Sequence, residues 1–482
     1  MNVNSIKKYF TIYNALLAAC IIFFLGVLVY GFPNSPSPWF DEGINLGIAR
    51  SWVEHGVYSM QVGPNEFAQE RYLLITTNYP LLFFIGVAFK FFGVGLVQAR
   101  VVMVGFMLVF TVLLFVFIRR YYGKEAALMG LALLVTFAPF YGNGKSALGE
   151  VPGLAYFLAA LLWFDRKKPW QIFMTGFLFG LAAATKSIYM LFLVAAVGGE
   201  VWSACVQKKI DRKRWFWLGI GMLIPIVIWF ITLLPEEVTA SFFQKMAQLY
   251  SNPYKVEHTI GTNVLRFFTE STPLHFLLLW GSFLFVKGIR RLRSLTVVEV
   301  TMTIFIVLNL FFYLRTVGWY RYFFPAHLIV IALFPGSLIE WRDHLNIPRW
   351  IKIYGPRFLV LILFVLQAGN LVFHAHDRLY FNPEPQQFTL RVKAAAPPNS
   401  TVTVVDNPVL AFLLQGMVVS QYVQTSPHMV VGREPFADGV LPLYLVTPDW
   451  AQDPYLSLYL SLRGKYDLIV HGAEFNLYRL HF

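Results

Sequence analysis

Two adjacent carboxylates, Asp41 and Glu42, stand in Trp39-Phe40-Asp41-Glu42, just past an apolar run. Ionised oxygens at a bilayer boundary are costly and need a partner or a task. Successive residues on a helix or strand point in different directions, so the two carboxylates are expected to have different partners. A partly desolvated carboxylate can accept a proton from an attacking hydroxyl. A plainer role is also open to Asp41, which precedes Gly43-Ile44-Asn45-Leu46 and could cap the helix starting there. The two roles are compatible.

A second group of charges recurs between apolar runs. Lys145 and Glu150 form a pair in Asn143-Gly144-Lys145-Ser146-Ala147-Leu148-Gly149-Glu150, a short loop that is either solvated or facing a ligand. Lys186, in Ala184-Thr185-Lys186-Ser187, either snorkels to the interface or serves the same ligand. Arg315 and Arg321, in Leu314-Arg315-Thr316-Val317-Gly318-Trp319-Tyr320-Arg321, have the fork geometry that grips a phosphate. Arg266 and Arg71 are read as substrate contacts or as solvated charges. Carboxylates and fixed cations at one boundary suit a lipid-tailed substrate with a phosphate head and a group to transfer. The acid would activate an acceptor and the cations would stabilise the phosphate leaving group. His55, His258 and His275 are scattered without ligand spacing, and Cys20 and Cys205 fall in or beside apolar runs, so neither residue type points to a metal site.

What must hold these groups is a membrane bundle. The 482-residue chain is 57% hydrophobic and 13% charged, with a mean hydropathy of +0.58. Its +13 charge, from 39 Lys+Arg against 26 Asp+Glu, sits in short clusters between apolar runs. That pattern sets membrane topology and argues against nucleic acid as a partner. The clusters are Lys7-Lys8, Arg119-Arg120 with Lys124, Arg166-Lys167-Lys168, Lys208 to Arg214, Lys287 to Arg293 and Arg342 to Arg357. The first run, Tyr9 to Tyr30, is long enough to cross a bilayer and longer than a signal peptide's apolar core.

With all six clusters in the cytoplasm, the runs 97–118, 125–142, 151–164, 170–185, 187–205, 215–234, 273–286, 296–314, 322–340 and 357–374 complete about eleven transmembrane helices. The amino terminus then lies inside and everything after His374 outside. Leu81 to Phe92 is apolar but short and carries Lys90, so it reads as an interfacial or re-entrant helix of the first outer loop, 32–96. The chain divides into a transmembrane domain, 1–374, and an extracytoplasmic domain of α/β or α+β class, 375–482. In the latter, Thr401 to Val405, Leu441 to Val446, Asp467 to Val470 and Phe475 to Leu480 are expected strands. Lacking a nucleophile motif or metal spacing, this domain is expected to be structural or to contact the acceptor.

The chain resembles the bacterial membrane glycosyltransferases related to protein O-mannosyltransferases and lipid A aminoarabinose transferases, which share the C-type glycosyltransferase fold. Carrying the resemblance are "WFDEGINLGIARSWVEHGVYS", "NYPLLFFIGVAFKFFGVGLVQARVV", "GKSALGEVPGLAYF", "GLAAATKSIYMLFL" and "RYFFPAHLIVIAL", in that order over most of residues 1–340. The resemblance implies an inverting transfer of a hexose or pentose from a polyprenyl-phosphate sugar to a glycan, lipid or protein acceptor, at the outer face of a bacterial plasma membrane. Asp41 then takes the general-base position with Glu42 beside it, and Glu150 matches the second outer-loop acid. Arg100, Lys186 and Arg321 match basic positions near the site or the lipid phosphate. Tyr79 precedes Pro80 where many relatives carry Lys or His, which leaves the grip on the phosphate, and a divalent cation, open. No other cofactor is expected. The competing reading is a transporter or flippase of lipid-linked sugar that makes no bond.

Overall fold

The computed structural model describes residues 12–68, 71, 76–234, 238, 240–251, 260–289, 295–344, 348–397, 400–415, 419–423, 442–448 and 465–481. Lys7-Lys8, His258 and residues 290–293 of one basic cluster lie outside them. All eleven apolar runs fold as helices. Helix α1 (Ile12–Val29) leads through residues 31–38 into α2 (Phe40–His55), a small hairpin of β1 (Gln61–Gly63) and β2 (Glu66–Phe67), and α3 (Tyr79–Phe92), the short apolar segment of the first loop. The bundle continues with α4 (Leu96–Val135), α5 (Ala138–Gly144), α6 (Glu150–Trp163), α7 (Pro169–Thr185), α8 (Met190–Gln207) and α9 (Arg212–Leu233). Next come α10 (Ala240–Ser251), α11 (Ile260–Thr269), α12 (Ser271–Ile289), α13 (Val297–Leu314), α14 (Tyr320–His344) and α15 (Arg349–Phe373).

Seven of the described helices are long and apolar enough to cross a membrane. One of these, α4, carries two of the expected runs. Gly123 breaks it at φ 89°, a left-handed conformation that glycine adopts without steric cost. A Cβ on Gly130 would lie 2.3 Å from the Ile118 side chain. Twelve residues along a straight helix span about 18 Å, so the chain reverses at Gly123. Helices α7 and α9 touch backbone to backbone: a Cβ on Gly176 would lie 2.2 Å from the Leu218 carbonyl, and one on Gly221 2.2 Å from that of Phe173. Close approach through small residues is how apolar helices associate when lipid removes the hydrophobic drive between them.

The basic clusters converge. Arg120 pairs with Asp165 at 3.4 Å, and Arg214 with Glu200 at 2.6 Å while also donating to the Arg166 carbonyl. Lys287 bridges Glu299 and Glu340, each at 2.8 Å, and Arg342 and Arg357 both hold Glu125. Arg100 and Arg120 stand on the same arm of α4, about 30 Å apart, so Arg100 marks the opposite end of the bundle.

Beyond α15, the short α16 (Ala375–Arg378) and α17 (Glu384–Ala395) lead to β3 (Thr401–Val405), α18 (Pro408–Leu414), β4 (Val419–Val423), β5 (Tyr444–Pro448), β6 (Tyr466–His471) and β7 (Phe475–Leu480). The sheet order is β4-β3-β5-β7-β6, with β3 parallel to β4 and β5, and β7 antiparallel to β5 and β6. Three expected strands appear near their expected bounds; the fourth runs Tyr444–Pro448, and β4 was not anticipated. Helix α18, with Asn407 accepting from the Leu410 amide as its cap, sits on α2 so closely that a Cβ on Gly43 would lie 2.3 Å from the Val409 nitrogen. The tail also grips the loop before α2: Ser37 N–H donates to the Tyr380 carbonyl at 2.6 Å, Asn382 N–H to that of Asn34 at 3.0 Å, and Ser35 Oγ to that of Leu379 at 2.8 Å.

Because Gly43 has no room for a side chain, Gly43→Val is expected to lift α18 off α2 at a cost of about 1–3 kcal/mol. The check is a lower Tm in detergent together with faster proteolysis of the tail; an unchanged Tm and digest would mean that α18 is not seated there.

Candidate active site

Both oxygens of Glu42 are engaged by N–H donors. The carboxylate accepts from Arg100 Nε at 3.0 Å and Nη2 at 2.6 Å, from the Ala147 amide at 2.9 Å and from the Trp39 amide at 3.3 Å. Neither side chain of the Glu42–Arg100 pair reaches solvent. Arg100 also donates to the carbonyls of Pro33 and Pro36. One buried pair thus joins the loop after α1, the start of α2, the start of α4 and the 145–150 loop. Asn45 reinforces the last contact by donating to the Ala147 carbonyl at 2.8 Å.

The helix begins at Phe40, so Asp41 lies inside the first turn. Glu42, not Asp41, receives an amide there, which corrects the capping expectation. Asp41 instead faces Arg321 of α14, with Nη1 to Oδ2 at 2.8 Å and side-chain exposures of 14% and 18%. The Arg321 guanidinium lies 4.8 Å from the Trp319 ring centre and 5.2 Å from that of Tyr322, which suits cation–π attraction. As expected, the neighbouring carboxylates have different partners.

The second expected pair is re-sorted. Glu150 pairs not with Lys145 but with Lys186, which is buried and not snorkelling. Glu150 Oε2 is buried with no hydrogen-bond partner among the described residues. The Lys186 turn is fixed by a bridge to Thr77 and by the Asn78 amide donating to the Thr185 carbonyl at 3.0 Å. Lys145 is buried, and its amine donates to the Tyr30 carbonyl at 3.1 Å. Desolvation first, then the Arg100 guanidinium, push its ammonium down to about 7.

Arg266 of α11 grips the turn before α14 through the Gly318 carbonyl and pairs with Glu270 at 3.5 Å. Arg315 is exposed at the end of α13, and Arg71 is half-buried. Tyr79 hydroxyl donates to the Pro225 carbonyl at 3.3 Å. Among the described residues no three or more His, Cys, Asp or Glu come together to hold a metal ion. Glu42's oxygens are already filled by N–H donors, so among the described residues this carboxylate is not left for a cation.

Sequence reading missed two features. Asn78 Oδ1 accepts from Tyr58 and Thr232 hydroxyls, both at 3.0 Å, tying the first loop to α9. A buried chain runs from Tyr320 hydroxyl to His327 Nδ1 (2.8 Å), from His327 Nε2 to His275 Nδ1 (2.9 Å), and from His275 Nε2 to Gln367 Nε2 (3.1 Å), ending at Thr136, which donates to Gln367 Oε1. With the amide donating to His275, both imidazoles are neutral and Tyr320 oxygen accepts from His327, a consistent assignment of tautomers. The available signal was that both histidines fall within apolar runs, where ionisable groups need partners.

Residues 80–232 match the family model described as dolichyl-phosphate-mannose-protein mannosyltransferase. No curated protein matches the chain. Among solved structures, ArnT from Cupriavidus metallidurans bound to undecaprenyl phosphate superposes with a TM-score of 0.63 at 14% identity, covering 96% of this chain and 97% of that one. The Archaeoglobus fulgidus oligosaccharyltransferase gives 0.57 at 12% identity, over 94% of this chain and 71% of its own. Arabinofuranosyltransferase AftD from Mycobacteria gives 0.54 at 11%, over 97% of this chain and 40% of its own.

Removing one member of a buried ion pair strands the other, at a cost of about 3–5 kcal/mol. Glu42→Gln and Arg100→Met are each expected to lower the Tm in detergent, and the double variant by less than the sum; additive losses would show that the two side chains do not interact. Lys145 carries the opposite sign. The unfolded lysine keeps its proton to about 10.4 while the folded one loses it near 7, so between these values the unfolded state binds more protons and stability rises with pH. Lys145→Met should flatten that rise in a Tm-versus-pH series; an unchanged slope would sink the assignment. The chain is a multi-pass membrane protein with the C-type glycosyltransferase fold, similar along residues 80–232 to the dolichyl-phosphate-mannose-dependent protein mannosyltransferases.

Proposed function

We propose that the protein is an inverting glycosyltransferase that moves a sugar from a polyprenyl-phosphate donor to an acceptor at the outer face of a bacterial plasma membrane. The observation that carries this reading is Asp41 and Arg321 meeting face to face at the end of the bundle away from the basic loops. Asp41 takes the proton of the acceptor hydroxyl or amine as the acceptor's heavy atom bonds to the sugar's anomeric carbon. The bond from that carbon to the phosphate oxygen breaks on the opposite side, and the phosphate leaves with the electron pair. Attack opposite to departure inverts the anomeric centre. Arg321 and the exposed Arg315 neutralise the phosphate.

The remaining charges take supporting roles. Glu42 with Arg100, and Lys145 beside them, are buried and hold the loops; Lys186 orients Glu150, whose Oε2, without a partner among the described residues, is left for the sugar or the acceptor. Arg266 sets the turn before Arg321, and Tyr79 ties α3 to α9. On this reading the amino terminus is cytoplasmic and the second domain, 375–482, lies outside, and the seating of α18 on α2 supports a role for that domain beside the acceptor. Undecaprenyl phosphate, found on the similarly folded ArnT, is the form of lipid carrier we assign to the donor.

Purified protein in lipid, offered a panel of polyprenyl-phosphate sugars with cell-envelope acceptors, is expected to release polyprenyl phosphate. Loss of a general base costs about 10²–10⁴-fold, so Asp41→Asn should release at least about a hundredfold less. Equal release by the variant would remove Asp41 from the chemistry. Movement of lipid-linked sugar across the bilayer with no release from any donor would favour a flippase.

A further inference from the structure

Asp41 and the donor phosphate both need Arg321, and the surrounding charges make that competition hard to avoid. Arg100 is wholly buried on Glu42, Lys186 is buried on Glu150, and Lys145 is buried on the Tyr30 carbonyl. Drawing any of them to a phosphate at the boundary would strand a buried carboxylate or move a loop. Of the two arginines assigned to the phosphate, Arg315 is exposed at the end of α13, and Arg321 is partly exposed with one edge of its guanidinium taken by Asp41 Oδ2 at 2.8 Å. The same contact engages one of the two Asp41 carboxylate oxygens and holds the group against the guanidinium.

We propose, resting on the reading above, that the Asp41 carboxylate holds the donor-phosphate position on Arg321 in the resting protein. Donor binding then displaces it and frees it to act as the base, so donor binds before the acceptor can be activated. The guanidinium is the fixed partner, flanked by Trp319 and Tyr322 and bonded through Nη2 to the Tyr322 hydroxyl at 3.3 Å. Asp41, with two side-chain torsions, is the partner that can swing. A phosphate matches the guanidinium fork at least as well as a carboxylate does. One anion replaces another, so Arg321 is never left uncompensated. The released Asp41 lies beside the phosphate and its sugar, where the acceptor must arrive. The ordering also guards the site, since no competent base stands ready without a donor to consume.

The test is equilibrium binding of undecaprenyl phosphate, without sugar, to the full-length protein in nanodiscs. Removing the competing carboxylate with Asp41→Asn is expected to tighten binding by up to about fivefold, the scale of a partly exposed ion pair. Arg321→Gln should weaken binding, and adding Asp41→Asn to it should bring no gain. Arg321→Lys, which keeps the charge, should retain part of the gain and so separates loss of the pair from a misfolded Gln variant. Unchanged or weaker binding by Asp41→Asn overturns the proposal while leaving the transferase reading intact. A gain of equal size with Arg321 replaced by Gln also overturns it, because simple repulsion between carboxylate and phosphate would then be the cause. Failure of the wild type and every variant to bind the lipid overturns this proposal together with the lipid-phosphate reading.

Discussion

The Glu42–Arg100 pair is the constraint on which this end of the molecule depends. Two opposite charges with no solvent contact are tolerable only when hydrogen bonds occupy their remaining capacity. Here four N–H groups fill the carboxylate, and two proline carbonyls take up further donors of the guanidinium. Those donors and acceptors come from three separated stretches of chain, residues 33–42, Arg100 and Ala147, so satisfying the pair fixes where the loop after α1 with α2, α4 and the 145–150 loop meet. Once Glu42 is pinned, the turn of α2 aims Asp41 elsewhere. The neighbour of a saturated carboxylate is thereby left facing a partly exposed arginine.

Layers of support lie behind this arrangement. The tail holds the loop before α2 through backbone hydrogen bonds and buttresses α2 at Gly43. On the other side, α11 holds the 314–318 turn through Asn263, which donates to the carbonyls of Tyr313, Leu314 and Thr316, and through Arg266. The Tyr320–His327–His275 chain then ties the first turns of α14 to α12 and α15. Asp41 and Arg321 are thus carried by separately anchored elements. A short, partly exposed ion pair between them behaves as a contact that an incoming anion can exchange, not as part of the scaffold.

Several charges whose types suggested ligand contact are occupied in holding the frame. Lys145, Arg100 and Lys186 looked alike in sequence, as basic residues near loop ends. Burial separates them from Arg315 and Arg321, and burial is a property of packing that no local spacing encodes. The Lys145–Glu150 pairing failed for a related reason. Lys145 turns to the Tyr30 carbonyl, and the partner Glu150 takes arrives from the Lys186 turn, 36 positions away in sequence.

The sequence by itself determined the helical membrane bundle, because runs of apolar residues in lipid have few ways other than a helix to satisfy their backbone. It also marked the reversals between runs, which basic clusters flag, and most of the sheet of the tail, where alternation and turn residues are local signals. The expectation that Asp41 and Glu42 would find separate partners followed from backbone geometry alone. Only the tertiary structure decided which partners those are. Glu42 meets Arg100 across 58 positions and Asp41 meets Arg321 across 280, and contacts that distant depend on how helices pack, a cooperative outcome of the whole bundle that no single segment carries.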